Sequence, residues 1–201
     1  MQTPSYQHLL DTLKAGIKAC NQVVVAFSGG VDSCLLAYAA HQALPDKMAA
    51  ITVQTPYIPQ WELDEARLFA AQYQIPHELI ALAIPPAITD NPPDRCYLCK
   101  KALFSAIRRR AQELGIETIV EGSNTDDLND YRPGMRARKE LGVISPLLET
   151  GMDKQSIRTL SRQAGLPSWD KPASACLLSR IPYHTRITAP ELDRIARAEM
   201  V

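Results

Sequence analysis

The run Val23-Val24-Val25-Ala26-Phe27 breaks directly into Ser28-Gly29-Gly30-Val31-Asp32-Ser33, and a helical composition follows from Leu35 to Ala43. A short, continuous, β-branched run reads as a strand buried on both faces. A strand, a glycine turn and a helix in immediate succession commit the chain to an α/β architecture with a mostly parallel sheet. The two glycines let the backbone take positive φ and approach a ligand closely. The helix start offers free N–H groups and a positive dipole end. With the hydroxyls of Ser28 and Ser33, these groups form a phosphate cradle. The spacing is not that of a Walker A loop, which needs a Lys beside the final Ser, and it is not G-x-G-x-x-G. Asp32 is the informative residue. A carboxylate beside phosphates repels them unless a cation lies between, so Asp32 is either a Mg²⁺ ligand or a helix N-cap.

Strand and helix patterns alternate over residues 5 to 165. Tyr6, Leu9, Leu10, Leu13 and Ile17 recur at helical spacing. Met48 to Val53 and Glu78 to Leu82 read as strands, and Trp61 to Tyr73 reads as a helix with Leu68 and Phe69 facing inward. Residues 84 to 95 hold Pro85, Pro86, Pro92 and Pro93, and a long ordered loop of this kind is often functional. A helix runs from about Cys96 to Leu114. Thr118 to Val120 is a short strand, and Val143 to Leu147 is another strand candidate. Asp153 to Ala164 is a helix stopped by Gly165. Residues 166 to 188 are irregular, and Pro190 starts a last helix. No internal repeat or low-complexity tract is present.

A 201-residue chain buries roughly 70% of its unfolded surface, so it needs no disulfide or metal merely to fold. Its 22 basic and 22 acidic residues cancel. Any nucleic-acid or membrane contact therefore rests on a local patch, and none is expected. Aromatics at 6% argue against a base-stacking platform. Five cysteines, Cys20, Cys34, Cys96, Cys99 and Cys176, follow an N-terminus without a secretory pattern. A cytoplasmic protein with reduced thiols is expected.

The strand followed by Ser28-Gly29-Gly30-Val31-Asp32-Ser33 resembles the PP-loop of the ATP pyrophosphatases, with their Rossmann-like, adenine nucleotide alpha hydrolase-like sheet and helices on both faces. The resemblance implies ATP cleaved between the α and β phosphates, with Mg²⁺, and an adenylated substrate. Glu121-Gly122-Ser123-Asn124-Thr125-Asp126-Asp127 is similar to the later nucleotide-site segment of that superfamily. ATP contacts are expected at Ser28, Gly29, Gly30, Asp32, Ser33, Gly122 and Asn124, and Mg²⁺ contacts at Asp32, Asp126 and Asp127. A plain polar loop with Asx turns is the alternative for the later segment.

Two further segments, Pro92-Pro93-Asp94-Arg95-Cys96-Tyr97-Leu98-Cys99-Lys100 and Lys171-Pro172-Ala173-Ser174-Ala175-Cys176-Leu177-Leu178-Ser179-Arg180-Ile181-Pro182-Tyr183, narrow the choice. Together with the PP-loop they resemble the LarE family of ATP-dependent sacrificial sulfur transferases. The resemblance implies a small nucleotide substrate, pyridinium-3,5-dicarboxylic acid mononucleotide, and its conversion to a thiocarboxylate for the nickel-pincer cofactor of lactate racemase-type enzymes. Cys176 matches the sulfur-providing cysteine, and nearby Lys171, Arg180 and Arg186 are expected to favour its thiolate. Cys96, Cys99 and Cys176 would hold three irons of a [4Fe–4S] cluster, leaving the fourth open to a sulfide. A half zinc site completed by Cys176 or His184, or a redox dithiol, are the other readings of Cys96 and Cys99. Cys20 and Cys34 are expected to pack as small hydrophobes.

Arg95, Lys100, Lys101, Arg108, Arg109 and Arg110 read as a solvated face or a guide for an anionic substrate. Arg132, Arg136 and Arg138, with Arg180, are candidates to grip its phosphate or carboxylate groups; a surface loop is the alternative for the first three. A PP-loop tRNA thiolase, an amide-forming PP-loop synthetase and a non-catalytic ATP-binding module are the competing functions. The expected division is a PP-loop domain over 1–165 and a cysteine-bearing segment over 166–201 that begins a further C-terminal domain, cut by the chain end inside its helix. A homo-oligomer and contact with other enzymes of the nickel-cofactor route are also expected.

Overall fold

The computed structural model describes residues 6–129 and 134–199. Four parallel strands lie in the order β3-β2-β1-β4, with β1 at Val23–Ala26, β2 at Met48–Gln54, β3 at His77–Ala81 and β4 at Ile119–Val120. Val24 of β1 stands between Ala49 of β2 and Ile119 of β4. Val23, Val24 and Val25 are fully buried, which explains the uninterrupted apolar run; each such side chain contributes about 1.5–3 kcal/mol.

Helices cover both faces. On one lie α1 (Tyr6–Ala19), α2 (Val31–Ala43), α3 (Gln60–Gln72) and α7 (Lys154–Gln163), which share a core built on Leu13, Ile17, Leu35, Leu36, Phe69, Ile157 and Leu160. α2 is enclosed on nearly every side, so its sequence lacks a polar stripe. α4 (Arg95–Glu113) covers the other face, laying Phe104, Ile107 and Ala111 on Val24, Ile51 and Val53. The expected parallel α/β sheet with helices on both faces is the one observed.

Three local expectations are corrected. Leu68 is 69% exposed while Phe69 is buried, because α3 rests on the core through Leu63, Ala66, Phe69 and Ala70, and Leu68 lies off that stripe. Val143–Leu147 is not a strand. Ile144 makes one isolated parallel bridge to Val120, and Pro146, which cannot donate to a ladder, opens the short helix α6 (Pro146–Glu149) instead. Arg136 and Arg138 lie not in a loop but on α5 (Gly134–Glu140).

The chain beyond α7 folds back on the proline-rich loop. Leu177, Leu178, Ile181, Ile187 and Leu192 pack with Tyr57 and Ile88 in a third apolar cluster, and α8 (Ala189–Glu199) closes it. Asn91, fully buried, donates through Nδ2 to the carbonyls of Ile181 (2.8 Å) and Pro182 (3.0 Å) and accepts the His184 N–H at its own carbonyl. The Ile187 N–H donates to the Thr89 carbonyl. The long loop is thus the floor on which the cysteine-bearing segment rests.

Candidate active site

β1 and β4 are neighbours although β2 follows β1 in the chain, so the order of the strands reverses between them while all stay parallel. Ligands of open parallel sheets bind at such a point, beyond the carboxyl ends of the strands. A cleft of about 390 Å³ opens there, walled by the Ser28–Ser33 turn, residues 121–123, α7 and residues 171–174.

The turn is closed by its own hydroxyls. Ser33 Oγ donates to the Gly30 carbonyl at 3.0 Å and accepts the Ser28 N–H at 3.3 Å. Its single proton is then used, so the Ser28 hydroxyl is the donor across the 3.1 Å pair of oxygens. Gly29 has φ +74°, and a Cβ there would lie 3.0 Å from Ala66 Cβ. Glycine is required twice over, by backbone and by space. Gly122 meets the same helix start: a Cβ on it would stand 3.1 Å from Ser33 N and 3.2 Å from Asp32 Cβ. The N-cap of α2 is Gly30, not Asp32. Asp32 sits one residue inside the helix, lines the cleft and pairs with Lys154 Nζ at 2.5 Å.

The acidic pair divides. Asp127 lines the cleft, and its Oδ2 accepts the Asn124 N–H at 3.0 Å. Asp126 is exposed and accepts the Lys154 N–H at 3.0 Å. Asn124 is buried behind the wall, with Oδ1 accepting the Asp126 N–H. These are the Asx-turn bonds of the alternative reading, and they shape the loop that presents Asp127 and Gly122. Glu121, 7% exposed, accepts from Ser123 (2.9 Å) and Ser145, and Arg138 Nη1 donates to Ser145 Oγ at 2.7 Å. Arg138 therefore supports the wall through Ser145.

Among the described residues, four cations reach the cleft: Lys100, Lys154, Arg158 and Lys171. Lys171 Nζ donates to the Gly29 carbonyl at 3.1 Å and pairs with Glu65 at 2.5 Å. Arg158 donates to the carbonyls of Trp169 and Lys171, both at 2.8 Å, and so fixes the segment that carries Lys171. Ser174 donates to Glu62 across the cleft mouth. Lys154, Arg158 and Glu62 were not expected from the sequence. They converge from two helices, Lys154 and Arg158 from α7 and Glu62 from α3, and the local signal was Asp153 capping the helix that opens with Lys154. A second recess of about 110 Å³, lined by Ile51, Val53, Leu63 and Phe104 among others, adjoins the turn at Ala26 and Ser28.

The proposed phosphate or carboxylate grips lie elsewhere. Arg136 stacks on Tyr97, 3.5 Å from the ring centroid, and pairs with Glu140. Arg180 pairs with Glu199 at 2.6 Å. Arg132 lies outside the described residues. Of the basic run on α4, Lys100 faces the cleft, Lys101 pairs with Glu140, and Arg110 binds Glu78 and Glu113.

The thiols form a second centre beside the cleft. Residues 172–174 are cleft wall, and Cys176 follows two residues later. Cys96 and Cys176 are exposed and Cys99 is partly buried. Each of Cys99 and Cys176 lies within the electrostatic field of Cys96. Although Cys176 presents surface to solvent, its packed surroundings raise the thiol above its ordinary pKa. The Leu178 amide opposes this, Cys96 adds to it, and Arg95 and the Ser179 amide also oppose it. The expectation that Lys171, Arg180 and Arg186 favour the thiolate is corrected in its sign: the thiol stands above its ordinary pKa, Lys171 and Arg180 are engaged with Glu65 and Glu199, and Arg95 is a nearby cation that opposes the rise. Arg95 is buried face-on to Tyr183, 4.5 Å from the ring centroid. Burial also raises Cys99, which is bonded to the Tyr57 hydroxyl at 3.2 Å. Cys34 is buried in the core and its pKa is pushed up to about 12, as befits a packing residue. Cys20 Sγ donates to the Gly16 carbonyl.

No group of three or more His, Cys, Asp or Glu side chains among the described residues is gathered closely enough to hold a metal ion. For Mg²⁺ this fits, because that ion binds through one or two carboxylates and completes its shell with phosphate oxygens and water. Asp32 and Asp127, both on the cleft, are of the right chemistry. For an iron–sulfur cluster the donors are of the right kind and number, but they stand as neighbours and not as a formed ligand set.

A parallel sheet with this serine–glycine turn at its reversal point defines a PP-loop nucleotide-using domain. Residues 5–113 match the model of the NAD synthase family. The NMN synthetase of Francisella tularensis superposes with a TM-score of 0.65 at 17% identity, covering 96% of this chain and 92% of that one. An uncharacterized protein of Synechocystis is 42% identical over 95% of this chain and 72% of its own length. The pyridinium-3,5-bisthiocarboxylic acid mononucleotide synthase of Lactiplantibacillus plantarum is 34% identical over 94% of this chain and 69% of its own length. The chain belongs to the NAD synthase family of PP-loop proteins and, within it, to the LarE family of that synthase. The family is one of enzymes, and its PP-loop implies ATP with Mg²⁺. No helix among the described residues is long and apolar enough to cross a membrane.

Proposed function

We propose that the chain is a cytoplasmic ATP-dependent sulfur transferase acting on pyridinium-3,5-dicarboxylic acid mononucleotide. One observation carries the reading: the wall of the phosphate cleft, residues 172–174, runs directly into Cys176. A nucleotide in the cleft and a nucleophile at its mouth are therefore adjacent. The ATP phosphates lie on the Ser28–Ser33 turn at the start of α2, and the base occupies the apolar recess beside Ala26. Asp32 and Asp127 would hold Mg²⁺, and Lys100, Lys154 and Lys171 balance the charge of departing pyrophosphate.

A substrate carboxylate attacks the α-phosphorus, pyrophosphate leaves, and the acyl adenylate carries a good leaving group. The Cys176 thiolate attacks the carbonyl and AMP departs, leaving a thioester. Loss of the Cα proton of residue 176 sends that electron pair into a Cα=Cβ bond, and the Cβ–S pair leaves with sulfur. The products are a thiocarboxylate and dehydroalanine. A second reading rests on Cys96, Cys99 and Cys176 being neighbours: these thiols would hold a [4Fe–4S] cluster, which would supply an open iron for an added sulfide and spare Cys176. The domain division at 165, a homo-oligomeric state and hand-over of product to the next nickel-cofactor enzyme belong to the same proposal.

The test is intact-protein mass spectrometry after incubation with ATP, Mg²⁺ and the dicarboxylated mononucleotide. Loss of the mass of one H₂S at Cys176 supports the sacrificial route. Thiolated product with unchanged protein supports the cluster route. Absence of both pyrophosphate release and thiolated product overturns the proposal.

A further inference from the structure

Tyr57 lies far in sequence from every proposed reacting group, yet it touches both halves of the thiol centre. Its side chain is 1% exposed, within the third apolar cluster beside Leu98, Cys99, Leu177 and Leu178. Its hydroxyl meets Cys99 Sγ at 3.2 Å. A phenol is a stronger donor than a thiol, so the O–H donates and the sulfur accepts. Its main-chain carbonyl accepts the Leu177 N–H at 3.2 Å, and Leu177 is bonded covalently to Cys176. A phenylalanine would fill the same apolar space. The hydroxyl is therefore unexplained by packing, and burying it is unfavourable unless it finds a partner. Thr55 interacts with it as well, but the group that its proton meets is a thiol of the site.

We propose that Tyr57 is a positioning residue that clamps the Cys96–Cys99 turn of α4 to the Cys176 segment, holding the sulfur groups at the spacing the transfer step needs. The clamp rests on the sulfur-transfer reading for its purpose, but its geometry is testable without ATP or substrate. The hydroxyl sets the direction of Cys99 Sγ, and the carbonyl sets the entry of the chain into the Leu177–Arg180 turn. Neither contact touches the phosphate cleft. Loss of the hydroxyl is expected to disturb sulfur delivery and leave nucleotide capture alone.

The experiment uses Tyr57→Phe, which keeps the ring, in the full chain carrying Cys96→Ser so that two site thiols remain. A bis-bromomethyl bimane reagent, which bridges only nearby thiols, is applied to the protein alone, and the Cys99–Cys176 bridge is quantified by peptide mass spectrometry. Bridging is expected to fall about fivefold in Tyr57→Phe, with labelling of buried Cys34 unchanged as a check on the fold. Equal bridging with and without the hydroxyl, or no bridge in either protein, overturns the clamp. Cys99→Ser, whose hydroxyl can accept the same bond, and Cys99→Ala, which cannot, give a second measure through hydrogen exchange at the Leu177 amide. Faster exchange in the alanine variant alone supports the clamp, and identical exchange overturns it. With the remaining cysteines intact, Tyr57→Phe is expected to lower the single-turnover rate of sulfur transfer about tenfold with affinity for ATP unchanged. A bridging loss without that fall overturns the role in the reaction. A wild type that transfers no sulfur defeats the functional proposal, while the bridging result still decides the clamp.

Discussion

The phosphate cleft and the thiol centre adjoin one another and are built by opposite means. The cleft is mostly backbone. Its turn follows directly from β1, its hydroxyls close on one another within six residues, and Gly29 and Gly122 are there because main chain passes too close for a side chain. The thiol centre is mostly side chain. It joins Tyr57, the first turn of α4 and residue 176 through an apolar cluster separate from the sheet core. Backbone built on a parallel sheet is rigid and needs few residues in register. A centre assembled from three distant segments depends on every one of them.

The largest expected effect falls on the thiol side. Cys176→Ser removes the nucleophile of the sacrificial route, and single-turnover thiocarboxylate formation is expected to fall at least about 10³-fold, with nucleotide affinity within about twofold. Product formation near the wild-type rate would show that Cys176 supplies neither sulfur nor essential ligation. Next comes the cleft. Lys154→Met leaves the partly buried Asp32 without its 2.5 Å partner and removes a phosphate cation. Pyrophosphate release is expected to fall about 10²-fold, and a loss below threefold would mean that Lys154 only balances Asp32.

A stability measurement compares two glycines. Gly29→Ala forces a Cβ to within 3.0 Å of Ala66 at φ +74°, so urea melts should show a loss of about 2–4 kcal/mol. Gly151 has φ +73° and open space around it, and Gly151→Ala should cost about 1 kcal/mol. Equal losses would mean that backbone strain alone, and not the approach of α3, demands glycine in the turn.

The smallest effect is the cap that presents Lys154 to the cleft. Asp153 accepts the Ser156 N–H at 2.7 Å, and bonding to the Ser156 side chain and amide holds its carboxyl below the usual range. Asp153→Ala should cost about 1 kcal/mol at pH 7. Because the folded carboxyl is the stronger acid, this contribution is complete above the unfolded pKa of about 3.9 and is lost as pH falls through the lower folded value. The variant and wild type should converge in stability on acidification, and a gap unchanged down to pH 2 would refute the cap.

How far each region could be read before folding follows the same division. The Ser28–Ser33 turn was legible because its chemistry is contiguous and its neighbours in sequence are its neighbours in space. Asp126 and Asp127 looked equivalent, but the loop's own Asx bonds turn one to the cleft and the other to the start of α7. Lys154, Arg158 and Glu62 carry no local mark, because each is an ordinary polar helix residue until the fold brings α3 and α7 to one point. Val143–Leu147 misled because its apolar composition suits a strand, while Pro146 denies it a ladder. Arg180 stood beside Cys176 in sequence and still turned to Glu199 on α8.

By itself the sequence determined the layered α/β class, the phosphate turn and the separation of packing cysteines from the other three, all of them consequences of local periodicity, backbone freedom or motif. Only the tertiary structure decided which cations face the cleft, that Arg95 comes near Cys176, and that Tyr57 joins the two sulfur-bearing segments. Those pairings depend on where helices and loops come to rest across the sheet, and no short-range pattern in a chain encodes a distance between residues 57, 99 and 176.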